Sequence, residues 1–113
     1  MVSLDIEIGG ELRPVLFNMN QRIRYCKLRG LSTKQMGEEL MHPDDWDESV
    51  VRDLVYSALY AGVKSVKGMV EFDEEDVGDW IEVMKDDEMS KIFQALIDSN
   101  GEVEKGDKKK VKA

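Results

Sequence analysis

The sequence predicts a mainly α protein of the α+β kind: a small bundle of four to five helices around a central helix at about 45–64, preceded by a β-hairpin over 2–17. Three observations carry that prediction. Val2, Leu4, Ile6 and Ile8 alternate with Ser3, Asp5 and Glu7, and a period of two puts the apolar side chains on one face of a strand. Helix-start residues recur ahead of helically spaced apolar positions, at Asn18, Ser32 and Asp73. Wound as a helix, Asp47 to Lys64 is apolar around most of its circumference.

The elements follow in order. Gly9-Gly10 suits the tight turn of a hairpin, where both central residues take positive φ. The return strand is Glu11 to Phe17, and Pro14, which lacks a backbone donor, predicts an exposed ribbon edge at that point. Asn18 is the expected N-cap of the first helix with Gln21 at N3, and Met19, Ile23 and Cys26 mark its apolar face. Gly30 closes it. Ser32 with Gln35 fits a capping box, Leu31 with Met36 the accompanying staple, and this short helix ends near Met41.

The acidic turn His42 to Glu48 precedes the central helix, with Asp44 or Asp45 as its cap and carboxylates at its positive end. In that helix Val50, Val51, Leu54, Val55, Ala58, Ala61 and Gly62 form one arc, which Tyr56, Leu59 and Val63 extend. Only Asp53, Ser57 and Lys64 make a polar strip. Such a helix is expected to be buried on more than one side. Asp73 caps a further helix carrying Val77, Trp80, Ile81 and Met84, and Phe72 staples to Val77. A last stripe, Met89, Ile92, Phe93, Leu96 and Ile97, runs to Asn100-Gly101. The domain prediction is therefore one globular unit over 1–100, with helices within 18–98, and a disordered charged tail over 101–113.

Composition narrows the function classes. Residues 1–100 carry 11 Lys+Arg against 21 Asp+Glu, and residues 101–113 carry 5 against 3. An acidic body disfavours nucleic acid as a partner, because phosphate affinity rests on clustered cations. No apolar run reaches the length of a membrane span, and the opening residues lack the pattern of a signal peptide. One cysteine, Cys26, and one histidine, His42, leave no disulfide and disfavour a structural zinc site.

Catalytic and metal motifs fail one by one. Glu71 to Glu88 holds ten carboxylates, but an EF-hand register starting at Asp73 puts Val77 and Met84 where two essential calcium ligands belong. A helix-turn-helix reading of Leu31 onward would present Asp44, Asp45, Asp47 and Glu48 to phosphate, the wrong sign for a recognition helix. His42 has no nucleophile beside it, and no Gly-rich phosphate loop is present. No enzyme activity, cofactor or metal is expected. Binding character remains: Tyr56, Tyr60 and Trp46 are amphipathic aromatics of the kind enriched at interfaces. With Val63 beside them on the central helix, and Pro14 at the ribbon edge, they are the candidate partner-binding residues. Seven methionines add adaptable apolar surface, although Met19, Met84 and Met89 fall on stripes that a core explains.

The order of these features resembles the tail assembly chaperones of long-tailed, siphovirus-type bacteriophages and prophages. The resemblance is carried by Ile8-Gly9-Gly10-Glu11, Phe17-Asn18-Met19-Asn20, Arg29-Gly30-Leu31 and Leu54 to Gly62. It continues in Phe72 to Ile81, in Lys91 to Leu96 and in the lysine tail. It spans about residues 4–110. It implies a small non-enzymatic protein, active in the cytoplasm of the bacterial host and absent from the finished virion. Such a protein binds the tape measure protein, keeps it soluble, and helps tail tube subunits gather around it. In many members a ribosomal frameshift near the end of the gene adds a C-terminal extension, and Lys108-Lys109-Lys110 is compatible with a slippery run. The central helix and the ribbon edge are then expected to supply tape-measure contacts or self-association into a homo-oligomer. The rival class is an acidic regulatory or inhibitory protein that mimics nucleic acid. It needs carboxylates spread along an extended surface, whereas these cluster at helix starts.

Overall fold

In the computed structural model the backbone is described for residues 2–112 and side chains for residues 2–99. The chain forms a hairpin, β1 (Val2–Ile8) and β2 (Glu11–Phe17), then α1 (Met19–Arg29), α2 (Thr33–Leu40), a 3-10 turn (Pro43–Asp45), α3 (Glu48–Ser65), α4 (Glu74–Glu82) and α5 (Asp86–Lys112). The fold is mainly α with an N-terminal antiparallel hairpin, as the sequence predicts.

Gly9 and Gly10 sit at φ +63° and +78°, the pair of positive values a two-residue turn needs. That turn sets the register Ile8↔Glu11, Ile6↔Arg13, Leu4↔Val15 and Val2↔Phe17. Paired residues share a face, so Ile6, Ile8, Val15 and Phe17 are buried together. The hairpin packs through β2 on α3 and through β1 on α5, while α1 and α4 pack on α3. Helix α3 is thus the centre, and ten of its residues, from Val50 to Gly62, are buried.

Several expectations change on contact with the structure. The cap of α3 is Asp47, which accepts from the amides of Ser49 and Val50, because Asp44 and Asp45 are taken up in the 3-10 turn. Of the expected polar strip of α3, Lys64 is exposed but Asp53 and Ser57 are buried and face α1, where each finds a hydrogen-bonding partner. Correspondingly, α1 turns inward Gln21, Tyr25 and Cys26, and leaves Met19 66% and Ile23 41% exposed. Gln21 and Tyr25 can be buried because Gln21 Nε2 donates to Ser57 Oγ at 2.9 Å and the Tyr25 hydroxyl donates to Glu39 Oε2 at 3.0 Å. Polar partners, not apolar spacing, chose that face.

The edge at Pro14 is not open. The backbone of α3 comes so near at Gly62 that a Cβ there would lie 2.5 Å from the Pro14 carbonyl carbon, and closer still to its oxygen. On the other strand the Glu7 amide donates to Glu88 Oε2 at 2.8 Å, so the start of α5 covers β1 at that position. On α5, Ile92 and Leu96 are buried but Ile97 is exposed. The helix also continues past Asn100-Gly101, where the sequence reading ends it, to Lys112. Glutamate and lysine are good helix formers, and a glycine interrupts a helix at a cost of only about 1 kcal/mol. The tail expected over 101–113 otherwise falls on residues whose side chains lie outside the described set. Among the described residues no helix is long and apolar enough to cross a membrane.

Candidate partner-binding site

The aromatic residues form a ladder along one flank of α3. The Trp80 indole lies against the hairpin turn, where a Cβ on Gly9 would come within 2.6 Å of the ring. Trp80 and Phe72 have centroids 5.5 Å apart, Phe72 meets Tyr56 edge-on at 5.9 Å, and Tyr56 meets Tyr60 at 6.0 Å. These separations fall within the range of favourable aromatic pairs. Both ends are closed by arginines. The Arg13 guanidinium lies 4.4 Å from the Trp80 centroid and that of Arg24 lies 4.0 Å from the Tyr60 centroid.

The candidates therefore separate. Tyr56 is buried in the core, and burial pushes its hydroxyl pKa up. Tyr60, one turn on, is half-buried at the end of the ladder. Val63 is half-buried beside the return of the chain at Gly68, whose amide donates to the Val63 carbonyl at 2.9 Å. Trp46 lies elsewhere: its Nε1 donates to the Glu39 carbonyl at 3.0 Å and its ring meets Phe93 at 6.2 Å. That indole fastens the 3-10 turn to α2 and α5. Pro14 packs against Gly62, as described above. Of the five, Tyr56, Tyr60 and Val63 share one stretch of α3, and Tyr60 reaches a groove.

That groove, about 380 Å³, runs between α1 and the C-terminal half of α3. Ile23, Arg24 and Lys27 stand on the α1 side, and Tyr60 and Lys64 on the α3 side. Lys64 Nζ is 5.7 Å from the Tyr60 centroid, a second cation near the ring. Among the described residues, Arg24, Lys27 and Lys64 form no ion pair with a carboxylate. A larger groove of about 610 Å³ between the start of α3 and α4 has the opposite sign, with Glu48, Asp79 and Glu82 around Val51 and Ile81.

Arg24, Lys27 and Lys64 escaped the sequence reading, although a signal for them exists. From Asn18 to Gly37 the chain carries Arg22, Arg24, Lys27, Arg29 and Lys34 with no Asp or Glu. In an acidic chain that is a local inversion of charge. Which of these cations would meet α3 at Tyr60 is tertiary information.

Cys26 is buried on α1, its Sγ 3.7 Å from Met36 Sδ, and burial pushes its thiol pKa up. His42 is exposed next to Pro43. Among the described residues no group of three or more His, Cys, Asp or Glu is placed to hold a metal ion. What the groove offers is an aromatic face, an apolar rim and three cations, a surface suited to binding. Compared with known proteins, the chain matches no family model, no curated protein and no solved structure.

Proposed function

We propose that this protein is a non-catalytic tail assembly chaperone of a long-tailed bacteriophage or prophage. In this reading it acts in the cytoplasm of the bacterial host. It binds the tape measure protein and keeps it soluble while tail tube subunits assemble, and it is left out of the mature virion. The sequence resemblance supplies the partner. The observation that carries the binding role is the Tyr60 groove, a half-buried aromatic with Arg24, Lys27 and Lys64 around it and the exposed apolar side chain of Ile23 on α1. Tyrosine and arginine are enriched among the anchors of protein interfaces. The central helix α3, buried against the hairpin and α1, carries one side of that surface.

Co-expression with the tape measure protein of the same phage tests the reading. A large increase in its soluble fraction, and its recovery bound to this protein, is the expected result. An unchanged soluble fraction with no recovered complex would refute the assignment.

A further inference from the structure

We infer that the groove between α1 and α3 recognises an acidic amphipathic segment of a partner protein, with carboxylates placed to meet Arg24, Lys27 and Lys64 and an apolar side chain placed over Ile23. The inference rests on the proposal that this groove is the partner surface; it does not depend on which protein supplies the segment.

Three observations converge. The first is charge: a chain with 21 acidic residues against 11 basic ones over 1–100 gathers three cations around one groove and, among the described residues, pairs none of them with a carboxylate. The second is preorganisation. Stacking over Tyr60 at 4.0 Å restrains the Arg24 guanidinium while leaving the edges of its plane able to donate to a carboxylate. A guanidinium already held in place loses less entropy on binding than a free one. The third is the rim, where Ile23 lines the groove from α1 and is 41% exposed.

The occupant follows from the dimensions and from the surroundings. Arg24 and Lys27 lie about 4.5 Å apart along α1, and Tyr60 and Lys64 about 6 Å apart along α3, by helical rise. Carboxylates three or four residues apart on a helix match that spacing, so about two turns of helix are enough. Beyond the basic stretch Asn18 to Gly37 the chain is acidic, so a polyanion reaching past α1 would be repelled, which disfavours extended nucleic acid and an anionic lipid surface. A short acidic stretch in an otherwise neutral or basic protein avoids that repulsion.

The test uses the full chain and a fluorescent helical peptide of about twelve residues, with Glu on one face at i, i+4 spacing and Leu and Met on the adjoining face. Its Gln counterpart, a single-stranded RNA and phosphatidylserine vesicles serve as competing probes. Saturable binding of the Glu peptide is expected, weakened at least about tenfold in the Gln peptide and weakened by salt. Lys27→Gln/Lys64→Gln should reduce affinity by about tenfold, whereas Lys34→Gln/Lys85→Gln, with the same change in net charge, should leave it unaltered. Arg24→Gln should reduce it by a similar factor. Equal loss in both double variants, no preference for Glu over Gln, or tighter binding of RNA or vesicles would each overturn the inference. Peptide binding without any effect on tape measure solubility would sink the chaperone proposal and keep this one. Tape measure solubilisation that depends on Tyr60 but is insensitive to Lys27→Gln/Lys64→Gln would do the reverse.

Discussion

Two arginines on the same helix face opposite circumstances. Arg29, at the end of α1, is held on every side: Nη2 donates to Glu39 Oε1 at 2.8 Å, and Nη1 to Asp53 Oδ2 and Ser49 Oγ, each at 3.1 Å. Arg52 also donates to Asp53, at 3.0 Å, so α1, α2 and α3 are tied through one carboxylate-rich cluster. Arg24 is the contrasting case, with an aromatic ring beneath it, two lysines around the same groove and, among the described residues, no carboxylate partner. The paired cluster positions helices; in the proposed reading the groove cations, which have no carboxylate partner among the described residues, meet the partner.

The largest effect should come from breaking the satisfied cluster. Asp53→Ala removes the buried carboxylate that Arg29 and Arg52 share, leaving Arg29 paired with Glu39, and is expected to destabilise the fold by about 2–3 kcal/mol. Urea unfolding midpoints measure it, and a change below about 1 kcal/mol would show that the cluster behaves like a surface pair. Gly62→Ala should follow, at about 1–3 kcal/mol, since its Cβ would press into the Pro14 carbonyl. The same unfolding experiment reads it, and full stability would mean the hairpin can shift off α3 without penalty.

Acid titration probes the other tie to the hairpin. Hydrogen bonds from Lys91 and from the Glu7 amide hold the Glu88 carboxyl pKa below its ordinary 4.5. A carboxyl depressed in the folded state contributes stability that is complete above its unfolded pKa and disappears as pH falls through the folded value. Wild type should thus lose stability on acidification from about pH 5, and Glu88→Gln should flatten part of that slope. Identical slopes would mean that this bond contributes nothing. The smallest effect belongs to the groove: Lys27→Gln/Lys64→Gln should change stability by no more than about 0.5 kcal/mol, because both lysines are exposed. A larger loss would make them structural and erase the contrast with Arg29.

Much of the fold was legible because local rules and tertiary packing agree. The alternation in β1, Gly9-Gly10, the capping residues Asn18, Ser32 and Asp73, and the over-apolar α3 each carry their meaning within a few residues. The misreadings arise where a distant partner decides. Gln21, Tyr25, Asp53 and Ser57 look like surface residues until the Gln21–Ser57 bond and the partners Glu39 and Arg29 are counted, and Met19 looks like core until Gln21 takes the inward face. Of the candidate site, the sequence pointed to Tyr60. It passed over Arg24 and Lys27, which matter only because α1 packs beside α3.

Substitution at Tyr60 tests the central claim most directly. Tyr60→Asp places a carboxylate among Arg24, Lys27 and Lys64 and removes the ring on which Arg24 stacks. Tyr56→Asp, one turn earlier, puts the same charge into the core. Each variant is co-expressed with the tape measure protein and followed by thermal unfolding of the purified chain. The account predicts that Tyr60→Asp keeps a cooperative transition but recovers no complex, while Tyr56→Asp loses the fold. A Tyr60→Asp protein that unfolds like Tyr56→Asp, or one that still captures the tape measure protein at the level of wild type, would contradict it.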